Sequence, residues 1–166
     1  HHNSGYHYTN GLGVMGDVIS ADEEDADAQT GMAPRFLALA NAAPDTELRL
    51  RAQLQWLKCL FYFEPGRVLA VADSLLGRLP GAPQQATWAA HPVLLAWARH
   101  YQAQACYAAG QTARGALLDA QVFWAAPDKR RRVYQTLPRD VFQEAIALAP
   151  DATSRANVLA VAAIKT

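Results

Sequence analysis

Proline stands three times in the same tripeptide. Ala43-Pro44-Asp45, Ala126-Pro127-Asp128 and Ala149-Pro150-Asp151 each separate two stretches with helical patterning. The pyrrolidine ring cannot extend the helix before it. The aspartate oxygen can accept from the free N–H groups that open the helix after it. A chain punctuated in this way is expected to be a succession of helices joined by tight stop-and-cap junctions.

Composition points the same way. Alanine, the strongest helix former, supplies 34 of the 166 residues. Val and Ile are few, and no stretch alternates apolar and polar residues for long enough to read as a strand. Hydrophobic residues make up 51% and charged residues 18%, so the chain can bury a core and fold. The expected fold is all-α, within one helical-repeat domain over 1–166. His1-His2 at the start, and an apolar stretch 157–164 that runs into Lys165-Thr166 without a Gly or Pro stop, read as a segment of a longer chain. No recognisable signal peptide and no apolar run of membrane-spanning length is present.

The periodicity predicts particular helices. A first is expected over 6–29, weakened by Gly11, Gly13 and Gly16, and a short one over 33–43. Asp45 should cap a helix to about Phe63, with Leu50, Leu54, Leu57 and Phe61 on one face. Glu64-Pro65-Gly66 then reads as a turn, and 67–79 as the returning helix, with Val68, Ala72, Leu75 and Leu79 in line. Three prolines and a glycine make 80–92 a linker loop. A further hairpin follows: a helix from Pro92 to Ala109 with a stripe of Leu94, Trp97, Tyr101, Ala105 and Ala108, a turn at Gly110-Gln111, and a return over 112–126. Shorter helices are expected over 129–137, 139–149 and 152–164. Gly66 and Gly110 are 44 positions apart, and Pro44 and Pro127 are 83 apart, about two such periods. A repeat of that length, each copy a helical hairpin, predicts an α-solenoid of about four stacked antiparallel pairs.

Over residues 95–127 the chain resembles a tetratricopeptide repeat. The matching positions are Tyr107-Ala-Ala-Gly110, small Gly115, closing Pro127 and small Ala103 in the first helix. Arg99, Gln102 and Asp119 stand where that family places apolar residues, and Cys106 replaces a large aromatic. The apolar stripe is also about one position out of the family's register. The resemblance implies a concave groove lined by the first helix of each hairpin. Trp97, His100, Gln104 and Tyr107 would then face a partner.

Other motifs read as structural. Gly11-Leu12-Gly13-Val14-Met15-Gly16 fits G-x-G-x-x-G, but no apolar strand precedes it and no second strand carries an acid about 20 residues on. Asp25, Asp27, Gln29 and Gly31 imitate a calcium loop, with the glycine one place late and Phe36 where the bidentate Glu belongs. His1, His2 and His7 beside the acids could hold a transition metal, although a terminal tag is the plainer reading. Cys59 and Cys106 read as buried thiols, and no C-x-x-C, H-E-x-x-H or G-x-S-x-G occurs. No cofactor is therefore expected.

Net charge is zero, which argues against a nucleic-acid binder. The acids Asp22, Glu23, Glu24, Asp25 and Asp27 and the bases Lys129, Arg130, Arg131 and Arg132 form two patches, read as solvated faces or docking charges. Trp56, Trp88, Trp97 and Trp124 are either packing or anchors for a partner. The function expected is a non-catalytic protein- or peptide-binding scaffold, with Trp97, His100, Gln104 and Tyr107 at the contact. Two alternatives are a helical support for an enzyme, with Glu64 and Glu144 as its isolated glutamates, and an oligomerisation module using the apolar end 157–164.

Overall fold

The structure is a computed structural model that describes residues 31–125 and 137–165. Several expectations lie outside the described residues: the helix over 6–29, the glycine motif at 11–16, the acidic run, His1, His2 and His7, the Ala126-Pro127-Asp128 junction, the basic run 129–132, and the helix over 129–137 apart from Leu137.

The described residues are all-helical, without a strand. In chain order the helices are α1 (Met32–Ala42), α2 (Thr46–Phe63), α3 (Pro65–Leu76), a 3-10 turn (Pro83–Gln85), α4 (Ala86–Ala89), α5 (Pro92–Ala108), α6 (Thr112–Ala125), α7 (Arg139–Leu148) and α8 (Ala152–Lys165). No described helix is long and apolar enough to cross a membrane. The chain divides into two compact units, His1–Pro65 and Gly66–Thr166.

In the first unit α1 and α2 form a hairpin around Ala43-Pro44-Asp45. Phe36 and Ala33 of α1 pack on Cys59 of α2, with Met32 and Trp56 alongside. Asp45 caps α2 as expected: its Oδ1 accepts from the Leu48 N–H at 2.8 Å. Leu50, Leu54 and Leu57 are buried, while Phe61 is only half-buried. Burial extends to Ala52, Gln55, Lys58 and Leu60, so the apolar face is wider than one stripe.

In the second unit α5 and α6 form the central hairpin. α5 ends in a Schellman motif: the Gln111 N–H donates to the Cys106 carbonyl at 2.8 Å, and the Gly110 N–H to that of Tyr107 at 3.1 Å. That closure needs Gly110 at φ +74, a conformation open to glycine. Phe142 and Ala145 of α7 and Val158 and Val161 of α8 pack with Ala116, Leu117 and Phe123 of α6 into the main core. Leu69 of α3 packs on Ala103, Cys106 and Leu118. Asp151 caps α8 through an Oδ1 that accepts from the Ser154 N–H at 2.7 Å. Both described Ala-Pro-Asp junctions therefore work as stop-and-cap signals.

Two expectations need correction. Gly66 is not a turn residue. It is the second residue of α3, which starts at Pro65 because proline at the first helical position already has helical φ and needs no N–H partner. The break falls on Glu64 alone, at φ −136 and ψ 57. The 44-residue spacing of Gly66 and Gly110 therefore relates a helix position to a turn. The segment 80–92 is not a plain linker either. It holds the 3-10 turn and α4, and Trp88 of α4 is 2% exposed. Burying an indole anchors a segment that its prolines alone make look loose.

Removing either cap should cost the protein about 1 kcal/mol. Asp45→Ala and Asp151→Ala are each expected to lower the unfolding free energy by that amount, read as a urea midpoint lower by about 0.5 M at unchanged slope. Burial pushes both thiols up, Cys59 and Cys106 each from 9.0 to about 11. That change alone cuts the thiolate fraction at neutral pH roughly a hundredfold. Neither cysteine should react with a disulfide reagent in the native protein, and both should react on unfolding. Rapid native labelling would contradict the packing around them.

Candidate functional site

α5 is buried on most of its surface from Leu94 to Cys106. The residues that break its apolar character, Arg99 and Gln102, sit inside the core rather than on a wet face. Arg99 is 2% exposed and Gln102 is fully buried. Asp119 of α6 is equally deep, at 1%. Buried polar groups of this kind persist only when they are paired.

The pairing around Arg99 is extensive. Its Nη1 donates to the Gly77 carbonyl at 2.9 Å and to Gln102 Oε1 at 2.6 Å. Its Nη2 donates to the carbonyls of Leu76 at 2.9 Å and Leu79 at 3.2 Å, and to Gln85 Oε1. The guanidinium thus closes the C-terminal end of α3, where free carbonyls and the helix dipole favour a cation. Burial lowers its pKa to about 10, with neighbouring Arg114 acting in the same direction and Asp73 against it, so it stays charged at neutral pH. Gln102 donates to Asp73 Oδ1 at 2.7 Å and to the Gly77 carbonyl at 3.0 Å. Arg114 of α6 pairs with the same Asp73 oxygen and donates to the Arg78 carbonyl at 2.9 Å. These donors are spent inside the protein, which makes this network a brace.

An adjacent face of α5 carries the row expected from the sequence. Trp97 is 5% exposed and belongs to the core. His100, Gln104 and Tyr107 follow at helical spacing and are half-buried. Tyr107 donates its hydroxyl to Asp119 Oδ2 at 3.0 Å. It lies flat across α6 because residue 115 is glycine: a Cβ there would stand 2.5 Å from Tyr107 Cε1. His100 Nδ1 lies 3.7 Å from Asp119 Oδ1. Asp119 therefore bonds Tyr107 and lies beside His100. Gln104 lies between them, and among the described residues its amide has no hydrogen-bond partner.

The other candidates are dispersed. Trp88 is buried, Trp56 is half-buried, and Trp124 is 38% exposed with its indole N–H donating to the Asn157 carbonyl at 3.3 Å. Glu64 is half-buried at the end of α2, and Glu144 is exposed on α7. Within 157–164, Val158 and Val161 are core, whereas Leu159 and Ile164 are exposed. Among the described residues no three His, Cys, Asp or Glu side chains gather as a metal ion would need. The network on Arg99 and the seat on Asp119 escaped the sequence reading, which treated Arg99, Gln102 and Asp119 as departures from an apolar pattern. Their helical register with buried neighbours was the signal available.

Arg99→Met should lower stability by about 3–5 kcal/mol, because it removes the donor to the Leu76 and Leu79 carbonyls and to Gln102 Oε1 and leaves the Gly77 carbonyl with Gln102 alone. Arg99→Lys should recover only part of the loss, since an ammonium has three donors and no planar fork. A denaturant midpoint within experimental error of the wild type would refute the brace.

Comparison with known proteins finds no matching family model, no similar curated protein and no similar solved structure.

Proposed function

We propose that this chain is a non-catalytic protein- or peptide-binding scaffold of the helical-repeat type, a degenerate relative of the tetratricopeptide design. Its hairpins would stack as an α-solenoid, and a partner would meet the row His100, Gln104 and Tyr107 on α5. Trp97, being buried, supports that row from within. One observation carries the reading. On a helix otherwise given over to the core, His100 and Gln104 keep accessible polar ends one turn apart, while the ring beside them is locked by Asp119 and Gly115. A rigid row of this kind loses little side-chain entropy when a partner docks. The helical architecture of the described residues and the sequence resemblance over 95–127 support the scaffold class, and the side chains of the row support its location.

The test is a peptide library probed with the labelled chain. A discrete set of peptides should be retained. Each hydrogen bond lost in His100→Ala or Gln104→Ala should weaken binding by about 1 kcal/mol, roughly fivefold. The unfolding midpoint should stay close to the wild type in both variants. An empty library, or a double variant that binds like the wild type, would end this reading.

A further inference from the structure

What His100 asks of a partner depends on which of its nitrogens carries the proton. A neutral imidazole has one N–H donor and one lone-pair acceptor, and its surroundings decide their order. Nδ1 is buried and has no hydrogen-bond partner. It faces Asp119 Oδ1 at 3.7 Å, beyond hydrogen-bond length but well within electrostatic reach. The other oxygen of that buried carboxylate already accepts from the Tyr107 hydroxyl at 3.0 Å. A lone pair on Nδ1 would lie beside a carboxylate oxygen with little water to screen the repulsion, whereas a proton there is attracted. Trp97 and Tyr101 of the same helix flank the ring, with centroids 6.3 and 5.9 Å away. The side chain keeps 18% of its exposure although Nδ1 keeps none, so the accessible edge is the one that carries Nε2.

We infer that Asp119 holds neutral His100 in its Nδ1–H tautomer, so that the accessible Nε2 is a hydrogen-bond acceptor and the partner presents a peptide or carboxamide N–H to it. Gln104, one turn on, can donate to the carbonyl of the same amide group. This inference rests on the binding role proposed for the row and adds the chemistry of the group recognised. Asp119 is then a positioning residue, acting through His100.

The tautomer can be read without any partner. Long-range proton–nitrogen correlation on the full 15N-labelled chain, recorded at a pH where the spectrum itself shows a neutral ring, should show His100 protonated at Nδ1 and bare at Nε2. His100→Gln assigns the signals, and the other histidines serve as reference. The reverse pattern, or a rapidly averaged mixture, overturns the inference. Titration with N-methylacetamide should then move the His100 Nε2 resonance, and N,N-dimethylacetamide, which has no N–H, should not. Equal responses to the two amides would also overturn it. A correct tautomer with an empty peptide library would strike the scaffold reading alone.

Discussion

One guanidinium organises the second unit. Arg99 leaves the middle of α5, reaches the C-terminal end of α3 and satisfies the carbonyls of Leu76, Gly77 and Leu79. A helix end brought into a core must have its carbonyls met by some donor. Water is excluded there, and no short side chain could span three acceptors. A planar cation with five donors can, and it also holds Gln85 and Gln102. The same contact fixes where α3 stops, and it ties the segment leading to α4 against α5. The burial of Trp88 completes that attachment.

This arrangement gives definition as well as stability. An apolar side chain at position 99 would leave the carbonyls at the end of α3 without that donor. The fan of hydrogen bonds from Arg99, and the pairing of Asp73 with Gln102 and Arg114, tie α3 to α5 and α6 at particular atoms. The polar seat on Asp119 does the same for the neighbouring face of α5, where it fixes Tyr107 and orients His100. Gly115 is part of that device, since any side chain there would lift the tyrosine from α6. The row proposed to meet a partner is therefore shaped from inside, by buried groups.

Local chemistry was legible in the residues. Proline stops, aspartate caps and the glycine at position 110 depend on atoms a few positions apart, and both described junctions behave as their sequence implies. The helices over 46–63, 92–108, 112–125 and 139–148 fall within a residue or two of expectation. The errors lie where a local signal supports two outcomes. Pro65 both ends one helix and begins the next, which removed Gly66 from the turn. The prolines of 80–92 signal a loop, but only the core space awaiting Trp88 makes it an anchored one. The spacing of Trp97, His100, Gln104 and Tyr107 puts them along one side of α5. The burial of Trp97 within it was not legible, because spacing gives a face and not a depth.

The sequence by itself determined that the described residues are helical, most of their helix ends and the alignment of His100, Gln104 and Tyr107, since each of these follows from interactions within a turn or two of helix. Only the tertiary structure decided that Arg99, Gln102 and Asp119 are core groups with partners 12 to 29 positions away. A charged or amide side chain on a helix looks the same in sequence whether it faces water or a distant carbonyl. The difference is made by which helix end or hydroxyl folding carries to it, and that depends on packing across the whole unit.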